Sequence, residues 1–225
     1  MRRVLTSIAL ALLVAPAIAA AQDESKAVAN GGVKVPGWQG TADGGAAITT
    51  AEFKTMGNGF HITTGPAATY WNPANKASGD YTVHATFSEP KFQNLNDHPH
   101  PYGVMIGGND MGTPNATYFY CAVQGNGQFI ARGMGPAPFK LNGRAAQPNP
   151  AIHSAAGVGQ PVTNEVAVSV KGDKVECAIN GTVVATYDKA MVVGAGKLKS
   201  TDGVYGLRSA HNTEVHVSNF GMTKN

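Results

Sequence analysis

Alternation organises this chain. Between clusters of Gly, Pro and Asn, apolar and polar residues follow a period of two, the spacing that sends successive side chains of a strand to opposite faces of a sheet. The runs that carry it are Gly59–Thr64, Tyr81–Ser88, Gly103–Gly107, Thr117–Gln124, Gln128–Arg132, Asn164–Lys171, Lys174–Asn180, Thr182–Tyr187, Val204–Ser209 and Glu214–Phe220. Gly125-Asn126-Gly127, Gly172-Asp173 and Asn180-Gly181 are turn signals that join neighbours into hairpins. No window of about 12 residues sustains the apolar stripe of a helix. The pattern predicts an all-β fold, a two-sheet antiparallel jelly-roll sandwich. Two long loops, Glu89–Pro101 and Met134–Gln160, remain outside it; loops of that length are either functional or plain insertions.

Parity then assigns faces. Val166, Val168 and Val170 form one inward row, and Val175, Cys177 and Ile179 the next. Val83, Ala85 and Phe87 point inward with His84 outward, and Phe60 and Ile62 inward with His61 outward. In Thr117–Gln124 either parity is apolar. Placing Phe119, Cys121 and Val123 inward puts both cysteines of the chain in the core and turns Tyr118 and Tyr120 outward. Arg132, across the Gly125-Asn126-Gly127 hairpin, then falls on the face of Tyr120.

The first 21 residues follow another pattern. Met1-Arg2-Arg3, the apolar run Val4–Val14 and the small residues Ala17 to Ala21 read as a cleavable signal peptide. The apolar run is too short to span a bilayer, and no later window is long enough. Arg2-Arg3 suits the twin-arginine export route or an ordinary basic start. Residues 22–35 are small, polar and aperiodic, expected as a flexible leader, with a single β-sandwich domain over 36–225. Export implies a periplasmic or extracellular location.

Charge changes meaning once the leader is set aside. Lys and Arg number 17 against 14 Asp and Glu, a formal +3; without Arg2 and Arg3 it is +1, with no basic cluster that would suit nucleic acid. In an exported chain Cys121 and Cys177 form a disulfide more often than a metal site or a nucleophile, and two buried thiols packing as small hydrophobes are the alternative.

The segment Thr201-Asp202-Gly203-Val204-Tyr205-Gly206-Leu207-Arg208-Ser209, followed by Val215-His216-Val217-Ser218-Asn219-Phe220, resembles the last two strands of concanavalin A-like lectin/glucanase sandwiches. Within that superfamily it is most similar to the domain named for 3-keto-disaccharide hydrolases. Val175–Val184, Asp80–Phe87 and Tyr102–Gly108 look like its other strands. The resemblance implies a concanavalin A-like sandwich that handles a glycan or glycoside, by binding on its concave sheet or by hydrolysis or elimination of a (3-keto-)sugar derivative. Members commonly carry Asn-Ser-Gly where this chain has Pro101-Tyr102-Gly103-Val104.

Glycoside hydrolysis commonly needs two carboxylates about 5–10 Å apart. No predicted strand carries two acids at alternating positions; Asp173 and Glu176 straddle a turn. Gly-x-Ser-x-Gly is absent. Asn96-Asp97-His98-Pro99-His100-Pro101 offers His98 and His100 to a transition metal, two ligands where zinc takes three or four. Asn109-Asp110 offers oxygens to calcium. The outward residues Tyr118, Tyr120, Arg132, His61, His84 and Arg208 suit a carbohydrate, whose ring faces stack on aromatics and whose hydroxyls meet planar polar groups. An envelope interaction module without catalysis is the third class.

Overall fold

The computed structural model describes residues 28–94 and 99–225. The residues read as a signal peptide, and His98, lie outside the described residues. In chain order the strands are β1 (Gly32–Val33), β2 (Gln39–Ala42), β3 (Glu52–Met56), β4 (Gly59–Thr63), β5 (Ala68–Ala77), β6 (Tyr81–Glu89), β7 (Tyr102–Asn109) and β8 (Thr117–Gln124). They continue as β9 (Gln128–Met134), β10 (Phe139–Lys140), β11 (Gln147–Pro148), β12 (Val162–Lys171), β13 (Lys174–Ile179), β14 (Thr182–Asp188), β15 (Gly203–Ser209) and β16 (Glu214–Lys224). A single helical turn, Lys189–Val192, follows β14. Among the described residues no helix is long and apolar enough to cross a membrane.

The strands form two sheets. The first runs β1-β3-β4-β16-β6-β12-β13-β14, and the second β10-β9-β8-β7-β15-β5-β2, with β11 also paired to β9. Every pairing is antiparallel except β1 with β3. All ten predicted strands are present, and the architecture is the expected two-sheet jelly-roll sandwich. Asn180 and Gly181 adopt φ of 50° and 78°, the left-handed pair that a two-residue hairpin turn needs.

Six further strands escape the period-two pattern, and for β5 and β3 the reason is local. Pro73 lies inside β5, where a ladder hydrogen bond would be lost. The strand accommodates it by bulging: Trp71 pairs with Gly206 and Lys76 with Val204, leaving Asn72 to Asn75 looped between them. In β3 only Phe53 is buried, so the strand carries one apolar beat. The expected leader boundary near residue 35 also shifts. Gly32–Val33 pairs with Glu52–Phe53, and the Val28 amide donates to the Thr50 carbonyl. Backbone pairing at a sheet edge requires no side-chain periodicity, which is why composition hides it.

The core lies between the sheets. Val166, Val168, Val170, Val175, Cys177 and Ile179 face it from the first sheet, Phe119, Cys121 and Val123 from the second, and all are buried. Cys121 of β8 and Cys177 of β13 form a disulfide that ties one sheet to the other, with Cα atoms 6.0 Å apart. The long loop after β9 is held down by polar staples. The Asn164 side chain exchanges hydrogen bonds with the His153 backbone, and Asn180 Nδ2 donates to the Ala151 carbonyl and to Asn164 Oδ1.

One carboxyl sits at the end of this core. Glu89 is buried, accepting from the Tyr102 hydroxyl at 3.2 Å and from the Gln93 amide at 3.1 Å. Burial pushes its pKa up to about 7, against those two hydrogen bonds.

Two predictions follow from the core. Replacing both cysteines with Ala removes a closure between residues 56 apart, and should lower the unfolding free energy by about 4 kcal/mol in urea titrations without reductant. Glu89 holds its proton more tightly folded than unfolded. Its ionisation therefore subtracts stability as pH rises from the ordinary carboxyl range through about 7, by about 3 kcal/mol at full effect. Glu89→Gln should be more stable than the parent at pH 8 and nearly equal to it near pH 4.5, as read by chemical denaturation at both.

Candidate functional site

The face of the second sheet turned away from the core carries a shallow cleft of about 290 Å³. Its floor follows from strand register. Arg132 of β9 sits opposite Tyr120 of β8, which sits opposite Met105 of β7. One pair along, Ile130, Ala122, Gly103 and Arg208 line up across β9, β8, β7 and β15. The small residues Ala122 and Gly103 thus separate Ile130 from Arg208. A β-carbon at 103 would run into the Cys121 carbonyl, so this position admits only Gly. Gln124 continues the outward parity of β8, and Ala67, Pro99, Pro101, Ala146, Ala210 and His211 close the rim.

The outward face is not an open sheet. Trp71, Met105, Tyr118, Tyr120, Ala122 and Ile130 make a second, smaller hydrophobic cluster, partly roofed by Met111, Met134, Ala146 and Val204. All eight residues of β8 are buried as a result. Tyr118 and Tyr120 point away from the main core as parity requires, yet each is covered.

Arg208 is held in this layer as a fixed cation. Its guanidinium grips Asp43 with two nitrogens, Nη1 to Oδ1 at 2.8 Å and Nη2 to Oδ2. Nη1 also donates to Thr69 Oγ1 at 3.0 Å, and Thr69 Oγ1 shares a hydrogen bond with the Tyr118 hydroxyl at 2.9 Å. Tyr118 is therefore a strut under the site and does not line the cleft. The guanidinium carbon stands 5.6 Å from the centre of the Tyr120 ring, a cation–π contact. This occupies a face of the ring that parity alone would leave free as a stacking platform.

Arg132 is placed differently. Its Nη2 donates to the Arg144 carbonyl at 3.3 Å, but its Nε has no hydrogen-bond partner, and no carboxylate lies within ion-pair distance among the described residues. The Gln124 side-chain oxygen is likewise buried without a partner. The cleft thus combines an apolar strip from Ile130 and the Tyr120 ring, a cation held by one backbone carbonyl with its Nε unpartnered, and a buried amide oxygen without a partner. Its described lining includes no carboxylate.

Of the six residues expected to share a ligand face, Tyr118, Tyr120, Arg132 and Arg208 come together on the second sheet. His61 and His84 do not. They lie on β4 and β6, facing outward from the first sheet on the other side of the sandwich. His61 faces His216, with ring centroids 5.0 Å apart, and its Nε2 is 3.5 Å from Glu214. Burial, then the His216 charge, pull its pKa below the usual imidazole value. Parity says inward or outward but not which sheet, and that is where the expected set divides.

Of the two expected metal ligands, His100 is among the described residues. His100 is buried and packs edge-on against His211, with ring centroids 4.5 Å apart. No group of three or more metal-ligating side chains assembles among the described residues. At the candidate calcium position, Asp110 pairs with Lys199 through Oδ2, and Asn109 turns its amide nitrogen to the Gly107 and Asp202 carbonyls. Sequence reasoning passed over Gln124 and Asp43. Gln124 was reachable from the parity that gave Tyr118 and Tyr120, whereas Asp43 reaches Arg208 across 165 residues, a separation that no short pattern spans.

No protein-family model and no curated protein sequence matches the chain. Solved structures do. The carbohydrate binding module CBM66 from Bacillus subtilis superposes with a TM-score of 0.56 at 10% identity, over 86% of this chain and 99% of its own. A Bacillus subtilis protein of unknown function with a galectin-like fold gives 0.58 at 14% identity, over 83% and 89%. At these identities the likeness is one of fold.

Because Tyr120 is covered, its replacement tests packing as much as recognition. Tyr120→Ala should cost about 3 kcal/mol of stability by opening a void beneath Arg208, seen as a lowered urea midpoint, while Tyr120→Phe stays close to the parent.

Proposed function

We propose that this protein binds a saccharide in the cleft on the outer face of its second sheet. The observation that carries the reading is the composition of that cleft. An apolar strip from Ile130 and Tyr120 lies beside Arg132 and Gln124, two polar groups with bonding capacity left over in a partly covered site. An unpaired buried acceptor costs stability, and a ligand hydroxyl offsets that cost on binding. Sugars offer what this surface lacks: hydroxyls for Gln124 and Arg132, and C–H faces for the apolar strip. The fold shared with a carbohydrate binding module supports the same reading.

The resemblance to the 3-keto-disaccharide hydrolase domain adds hydrolysis as a possible chemistry, but the cleft favours binding. Acid–base hydrolysis of a glycoside calls for two carboxylates at the bond. Asp43, which reaches Arg208, is already held by it. The reading also places the mature protein outside the cytoplasm, in the periplasm or beyond. It rests there on the N-terminal pattern, with which a disulfide between the sheets is consistent.

A glycan array with the purified mature chain, followed by calorimetry on the hits, tests the proposal. Arg132→Ala and Gln124→Ala should each weaken binding by about 1–3 kcal/mol, the range of an interface hot spot. His84→Ala, on the opposite sheet, should leave affinity unchanged. Equal affinity in all three variants would remove this cleft from the function.

A further inference from the structure

We propose, resting on the saccharide reading above, that the ligand of the cleft is an acidic saccharide whose anionic group is bound by Arg132. Beyond Arg2 and Arg3 the chain has three arginines, Arg132, Arg144 and Arg208, and two of them line this one cleft. Arg132 and Arg208 line the cleft, and Arg144 supplies the carbonyl that Arg132 Nη2 donates to.

The two lining arginines have different charge balances. Arg208 is buried and neutralised by the two-pronged grip on Asp43, so it serves as a support for Tyr120. Arg132 is half-buried, next to Tyr120 and Ile130, and has no carboxylate of its own among the described residues. Five lysines elsewhere on the surface do have carboxylate partners: Lys34 and Lys54 share Glu52, Lys171 pairs with Glu176, Lys174 with Asp188, and Lys199 with Asp110.

A guanidinium held beside apolar side chains, with its Nε unbonded, is short of one planar anion. Carboxylate matches its fork with two parallel hydrogen bonds, and the partly desolvated setting strengthens them. The described lining has no acid that would repel such a group. Gln124 Oε1 can accept from a neighbouring hydroxyl, which chloride or sulfate lacks. A uronate supplies both groups on one ring, and a sulfate ester supplies the same charge with a different shape.

The test compares pairs that differ only in charge. Oligogalacturonate, oligomannuronate and oligoglucuronate are titrated against their carboxyl methyl esters, and a sulfated galactan oligosaccharide against its desulfated form. At least one acidic form should bind at least about tenfold more tightly than its neutral counterpart, with the advantage shrinking as NaCl is raised. A uronate ligand shows it in the ester pairs, a sulfate-ester ligand in the desulfated pair. Arg132→Gln should bring the acidic form down to the neutral level, and Arg132→Lys, which keeps charge but loses the fork, should fall between. His84→Gln should change nothing, and near-parental thermal midpoints keep the Arg132 results interpretable. Equal binding of acidic and neutral partners, or an acidic preference that survives Arg132→Gln, overturns the acidic ligand while leaving the saccharide site standing. Absence of binding to these panels and to a broad neutral glycan array overturns the saccharide reading itself.

Discussion

Strand Thr117–Gln124 is buried at every position, and that burial on both faces constrains the rest of the molecule. A strand with one wet face needs apolar residues only at alternate positions, whereas one packed on both faces must satisfy two cores at once. Its inward set, Phe119, Cys121 and Val123, fills the space between the sheets and supplies the disulfide. Its outward set, Tyr118, Tyr120, Ala122 and Gln124, builds a second layer. The Tyr hydroxyls matter there. An aromatic with a polar tip can pack against Trp71 and Met105 and still meet polar partners, as the Tyr118 hydroxyl does with Thr69.

The second layer sets the electrostatics of the cleft. A buried arginine is costly unless its charge is paired and its donors are used. Arg208 meets that condition through Asp43 and Thr69, and through the Tyr120 ring it becomes part of the floor. Arg132, three strand pairings away in the sheet, receives only a backbone carbonyl. Rigid support and open capacity are thereby divided between two side chains of the same chemistry. A binding site needs both, because a preorganised floor limits the ordering cost and an unengaged group supplies the gain.

The sheet interior was legible from sequence because its signal is local. Val166 to Val170 and Val175 to Ile179 repeat every two residues, and the Asn180-Gly181 turn fixes how the two rows meet. Strands failed to register where the signal is broken or weak, as at Pro73, or where pairing is made by backbone alone, as at Gly32–Val33. The site was legible in part. Parity found Tyr120 and Arg132 together, since a three-residue turn makes them neighbours. It wrongly joined His61 and His84 to them, because which sheet a strand enters is decided by packing partners far along the chain.

The double parity of β8 bears on how such strands are read. Both sets, Phe119/Cys121/Val123 and Tyr118/Tyr120/Ala122, are apolar, and parity alone takes one as core and the other as exposed. An apolar residue at every position of a strand bounded by turns is the pattern of burial on both faces. Read that way, it implies that something covers the outward tyrosines, and the Met134–Gln160 loop is the nearest segment long enough to contribute. That loop does so: β10 and β11 fold back on β9, and Ala146 packs against the outer cluster. A cleft rather than a flat stacking face is the physical consequence, because a loop that covers part of an apolar sheet leaves a walled depression where its coverage stops.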